Sequence, residues 1–190
     1  MKKLLLLILA LPFMALCPPD NCGGVLRWDY KICIDAAGLQ VLQTAAVSKT
    51  ISALTAIPRP DNSELGNHRA DAEKQKVTVT AFVTECGKED DGDYHLVLKS
   101  TTGSKTLIAE IPDPGCKKVK GFPLLVSKYT KARQFVLDNI DDSPGGITAL
   151  ETPVKVRVTG ILFFDKMAHG NGHAPNGIEI HPILDIKKAN

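Results

Sequence analysis

The sequence is poor in aromatic side chains, which make up 5% of its 190 residues and include a single tryptophan. The stacking platforms of many single-strand nucleic-acid binders therefore start with little material. It has no apolar run of the roughly 20 residues that a membrane-spanning helix needs. Net charge is also lacking once an amino-terminal leader is set aside: residues 1–17 hold Lys2 and Lys3 and no acid, so the formal charge of +2 falls to zero. A neutral chain lacks the field that supplies most sequence-independent affinity for nucleic acid, which makes nucleic acid a disfavoured partner. The cysteines form no pair of CxxC knuckles, which argues against a structural zinc site. The length is too short for two full enzyme domains.

What is present begins with that leader. Lys2 and Lys3 precede the apolar run Leu4–Leu16, broken by Pro12, the pattern of a secretory signal peptide over residues 1–17. The mature chain is expected to be secreted or periplasmic. Met14-Ala15-Leu16-Cys17 matches a lipobox only loosely, because Leu16 is bulky where a small residue is required, so a lipid anchor at Cys17 is the weaker alternative. Four cysteines remain, Cys22, Cys33, Cys86 and Cys116. In an exported protein they suggest two disulfides, with three connectivities open. Cys22 with Cys33, closing a short loop, and Cys86 with Cys116, both just beyond strand ends, is the favoured pairing.

Residues 18–75 read as an irregular extension, with a short helix within Asp35–Leu54 and the proline-rich connector Ile57–Ser63. From residue 76 to 190 the register changes. Val77–Thr84 alternates strictly and is rich in β-branched residues, the mark of a strand. Two more strands, Tyr94–Lys99 and Thr106–Ile111, flank the turn Thr101–Ser104. The three- and four-residue recurrence of Tyr129, Ala132, Phe135, Val136 and Ile140 predicts a helix over Ser127–Ile140, with Ser127 at its start. Strands over Val154–Asp165 and Gly177–Ile186 follow, joined by the loop Lys166–Asn176. Three strands, a helix and two strands is the order of the mainly β, five-stranded OB-like barrel; the competing architecture is an open antiparallel sheet covered by the helix. Alternation points Val79, Leu96, Leu98, Leu107, Ala109, Val156, Val158, Ile178 and Ile180 inward, and leaves Thr80, His95, Lys99, Glu110, Arg157, Glu179 and His181 outward.

Four strings carry a resemblance: Asp91-Gly92-Asp93-Tyr94-His95-Leu96-Val97-Leu98; Ala109-Glu110-Ile111-Pro112-Asp113-Pro114; Phe163-Phe164-Asp165 with His169-Gly170; and Ala174-Pro175-Asn176-Gly177-Ile178-Glu179-Ile180-His181-Pro182. As a set they resemble a family of uncharacterised exported bacterial proteins over residues 76–186, with an echo at Arg27-Trp28 and Lys31. The resemblance implies an exported OB-like module and no established activity. A weaker likeness is to the staphylococcal-nuclease branch of OB proteins, which binds calcium with carboxylates and cleaves phosphodiesters. It implies a calcium site of Asp93, Glu110 and Asp113, with Asp113 where that branch places its general base. The arginines that neutralise phosphate in that branch have no counterpart near Lys105 or Leu107.

The second candidate cluster is Asp165, His169, His173, Glu179 and His181 around the last hairpin, with His95 beside Glu110; histidine with carboxylate suits zinc, copper or iron. The favoured function is a non-catalytic binding or interaction module whose ligand-binding surface comprises His95, Asp165, His169, Glu179 and His181, with an unidentified ligand or protein partner. The alternatives are a calcium-dependent nuclease-like phosphodiesterase and a structural subunit that self-associates through strand edges.

Overall fold

The computed structural model describes residues 22, 27–63, 65–66, 68–140, 146–165 and 170–190. The leader, Cys17 and His169 lie outside the described residues.

The chain is mainly β. Its strands are β1 (Val47–Ser48), β2 (Lys76–Lys88), β3 (Tyr94–Ser100), β4 (Thr106–Ile111), β5 (Thr148–Phe164) and β6 (Ile178–Lys188), with a long helix α5 (Pro123–Asn139) between β4 and β5. They form one mixed sheet in the order β1-β2-β3-β4-β6-β5, and β2 also pairs with β5, so β2, β3, β4, β6 and β5 close into a ring. The β4–β6 contact is parallel at Ala109 and Ile180; the other ring pairings are antiparallel.

β2 is longer than its alternating core predicts. One side pairs with β5 from Lys76 to Cys86, and the other pairs first with β1 at Val77 and then with β3 from Ala81 to Lys88. A register shift between Val83 and Glu85 lets the strand bend without losing either neighbour. Where β5 and β6 meet, a Cβ at Gly160 would collide with the Ile180 side chain and the Pro182 carbonyl, so only glycine admits that approach.

The ring interior is filled as the alternation predicts. Val79, Leu96, Leu98, Leu107, Ala109, Val156, Val158, Ile178 and Ile180 are all buried, and each large aliphatic chain contributes about 1.5–3 kcal/mol on burial. α5 begins four residues before the predicted start, because Pro123 occupies its first turn, where a missing N–H costs nothing. It buries Leu125, Tyr129, Ala132 and Val136 and packs on β6 and β4.

The extension is more ordered than its composition predicts. It contains α1 (Trp28–Lys31), α2 (Ala36–Val41), α3 (Ile51–Leu54) and a 3-10 turn (Asp71–Lys74), and β1 joins it to the sheet. Trp28, Ile32, Leu42, Ile51, Leu54 and Leu65 sink into the common core. The fully buried Glu73 receives Arg27 in two contacts of 2.7 Å, the Phe164 N–H at 2.8 Å and the Ala70 N–H at 2.8 Å. Buried Arg69 donates to both oxygens of Asp35 and to the Tyr30 carbonyl. Tyr129 of α5 donates to the Ile32 carbonyl at 2.8 Å.

The disulfide pairing differs from expectation. Cys22 joins Cys116, 94 residues away, so neither favoured bridge forms, and Cys33 remains a buried thiol. Local loop length favoured Cys22 with Cys33, but Cys33 is held in the core beside Gly38 and Arg69, whereas the segment before α4 (Lys117–Lys120) brings Cys116 to the extension.

Candidate functional site

The polar residues of β3, β4 and β6 lie on the face opposite the apolar interior. His95 stands directly across from Glu110, and Phe163 across from Glu179, while Ala109 opposite Ile180 aligns Glu110 with the Glu179–His181 stretch of β6. That face is where alternation placed them, but it is not solvent-exposed. Thr80, Lys99 and Arg157 are exposed as expected, whereas His95, Glu110, Glu179 and His181 are buried, together with Asp93. Two parts of the chain cover them. The α1 segment brings Lys31 onto Asp165 at 3.0 Å and sets Arg27 and Lys31 over the Phe163 ring. The loop before β6 brings Gly172 against Val97 so closely that a Cβ there would overlap the Val97 side chain.

Glu110 is the hub. Its Oε1 accepts from His95 Nδ1 at 3.1 Å, and its Oε2 lies 2.8 Å from His181 Nδ1. His95 Nδ1 also lies 3.0 Å from Glu89, whose carboxylate is 33% exposed and marks the solvent side of the cluster. The other ring nitrogen of His181, Nε2, is 3.4 Å from Asp93 Oδ2. Neither nitrogen of His181 makes an aligned hydrogen bond among the described residues, and neither does Asp93 Oδ2 or Glu179 Oε2. The contacts of His181 are thus close and electrostatic rather than directional. The Phe163 ring meets the His181 ring edge-on at 6.0 Å.

These distances perturb the titration of the whole cluster. Burial alone lowers His95, but its hydrogen bonds to Glu110 and Glu89 outweigh it and lift its pKa to about 9. Burial likewise opposes the charge on His181, and the attraction of Glu110 with the nearness of Asp93 raises it to about 9. Glu110 is held well below the carboxylate range because His181, His95 and Lys31 outweigh its desolvation. Glu179 moves the other way: desolvation and the charges of Glu110 and Asp165 push it well above that range. Lys31 is raised, since the attraction of Glu110, Asp165 and Glu179 exceeds the cost of its burial.

Of the oxygen trio Asp93, Glu110 and Asp113, the structure assembles two. Asp93 and Glu110 meet through His181. The Asp113 carboxylate turns into its own loop, accepting from the Gly115 N–H at 2.7 Å, while its backbone N–H donates to Asp93 Oδ1 at 2.9 Å. From the hairpin group, Glu179, His181 and Asp165 join the cluster, whereas His173 lies on the loop, its ring bonded to the Gly170 carbonyl at 2.7 Å. Sequence reasoning did not place Glu89 or Lys31 at the site. No periodic signal marks them, because Lys31 sits in a four-residue helix and Glu89 in an acidic turn. Arg133, on α5, is engaged with the Gly92 and Ile111 carbonyls and the Tyr94 ring.

No protein-family model matches the chain, and no curated protein matches it significantly. Among the described residues no helix is long and apolar enough to cross a membrane.

Proposed function

We propose that this chain is an exported OB-like binding module that holds a cationic ligand in the cluster around Glu110 and performs no turnover. The observation that carries the reading is charge composition: the carboxylates of Asp93, Glu89, Glu110 and Asp165, with Glu179 held in its neutral form, outnumber the two imidazoles and Lys31 on which they converge beneath a covering extension. An acidic enclosed face attracts a small cation and repels a polyanion.

The OB-like assignment is supported by the ring order and by the helix between its third and fourth strands. Export is supported by the leader pattern together with the Cys22–Cys116 disulfide. The nuclease alternative loses support because Asp113 is turned away from Glu110 and Arg133 is already committed. The structural-subunit alternative has little free edge, since every ring strand has a neighbour on both sides along part of its length.

Native mass spectrometry of the exported protein, recovered without denaturation, tests the reading. A ligand mass that disappears in Glu110→Gln supports it. Calcium-dependent degradation of single-stranded DNA that Asp93→Ala abolishes, or no mass excess under any loading condition, refutes it.

A further inference from the structure

Resting on the binding-module reading, we infer that the ligand is a divalent transition-metal ion of the zinc class, held by Asp93, Glu110 and one imidazole nitrogen of His181. The three residues are buried, and each offers a donor atom close to the others. Two donors bound at about 2.0–2.2 Å to one ion lie roughly 3.0–3.5 Å apart, whether the geometry is octahedral or tetrahedral. One ring nitrogen of His181, one Asp93 oxygen and one Glu110 oxygen all lie within 4.8 Å of one another. The closest approaches are made by different ring nitrogens, Nδ1 to Glu110 at 2.8 Å and Nε2 to Asp93 at 3.4 Å, so the nitrogen that binds has one carboxylate near that spacing and the second further off.

Direction adds a second, independent argument. If these groups were partners only of one another, a 2.8 Å approach would carry an N–H aimed at its oxygen. Both nitrogens of His181 and Oδ2 of Asp93 instead lack an aligned partner among the described residues, although all are buried. Buried polar atoms without partners are costly. A shared ion would satisfy Asp93 Oδ2 and one of the two imidazole nitrogens.

The surroundings fit an outer shell. Asp93 keeps one oxygen on the Asp113 N–H, leaving the other toward His181. Glu110 keeps Oε1 on His95 and presents Oε2 toward His181. Such second contacts orient metal-binding side chains. An imidazole among few oxygens selects zinc, cobalt, nickel or iron over calcium, which takes 6–8 oxygen ligands.

The test uses the full exported chain stripped with chelator and then titrated with zinc and with cobalt. Ring-nitrogen NMR of the wild-type histidines is recorded in parallel and needs no variant. One equivalent of metal per chain is expected, with the His181 nitrogens shifting and the exposed His68 and half-exposed His173 unmoved. Asp93→Asn and His181→Gln lower affinity by more than about 100-fold, and His95→Gln by about 10- to 100-fold with unchanged stoichiometry; circular dichroism confirms that each variant is folded. Zinc that moves only His68 or His173, or no stoichiometric binding of either metal, overturns the inference. An organic cation found at the cluster by mass spectrometry, with no response to metal, overturns it while leaving the binding-module reading intact.

Discussion

Arg27 and Glu73, 46 residues apart, meet in a two-pronged ion pair with both N–O distances at 2.7 Å, and the same carboxylate accepts the backbone N–H of Phe164 at the end of β5. One side chain thus ties the extension to the ring directly beside Phe163, which packs against His181. Glu73→Ala would leave Arg27 without its carboxylate and strand the N–H groups of Phe164 and Ala70. A loss of about 3–5 kcal/mol is expected, the usual cost of breaking a buried pair from one side. Urea unfolding measures it; a loss below about 1 kcal/mol would show that the extension is not anchored through this pair.

The disulfide predicts a pattern of thiol chemistry. Non-reducing peptide mapping is expected to recover Cys22 linked to Cys116, with Cys33 alkylated only after unfolding. Burial pushes the Cys33 thiol up to about 12, which leaves almost no thiolate to react. Cys22→Ser is expected to lower stability by about 2–4 kcal/mol, since the bridge closes a long loop. Rapid native labelling of Cys33 would contradict this arrangement.

Stability of the metal-free protein is expected to fall as pH rises. His95 and His181 have folded pKa values near 9, so their contribution is complete below the ordinary histidine value of about 6.5 and is lost through pH 9. Glu179, raised by burial, acts in the same direction, because the unfolded chain releases its proton first. Glu110, lowered by its histidine partners, contributes above the ordinary carboxylate range and loses that contribution in acid. Thermal midpoints in chelator should therefore be highest near pH 5–6.5 and decline toward pH 9. A midpoint that rises between pH 6.5 and 9 would refute the charge assignment.

Gly170 and Gly172 separate strain from contact. Both have left-handed φ, 78° and 81°, but a Cβ at Gly170 meets open space and one at Gly172 meets Val97. Gly170→Ala is expected to cost about 1–2 kcal/mol from backbone strain. Gly172→Ala adds overpacking of about 1–3 kcal/mol. Equal losses in denaturant titrations would mean that the loop does not press on the outer face of β3.

Several elements were legible from residue order. Thr106–Ile111 has the predicted bounds, and the helix centred on Tyr129 and Ala132 is present. β5 begins at Thr148 rather than Val154, because its early residues pair with the bent end of β2 at Glu85 and Cys86. That partner lies some 60 residues away, and no local pattern records it.

Residue order sets which side chains share a face: a two-residue period puts His95, Glu110, Glu179 and His181 opposite the apolar filling, and the register agrees. Tertiary structure alone decided that this face is closed rather than open to water. Alternation encodes the direction of a side chain from its strand but says nothing of what is laid on top. Here the cover arrives through contacts such as Lys31 with Asp165, 134 residues apart, and Cys22 with Cys116. Once water is excluded, the same charges that an exposed surface would screen become a coupled cluster.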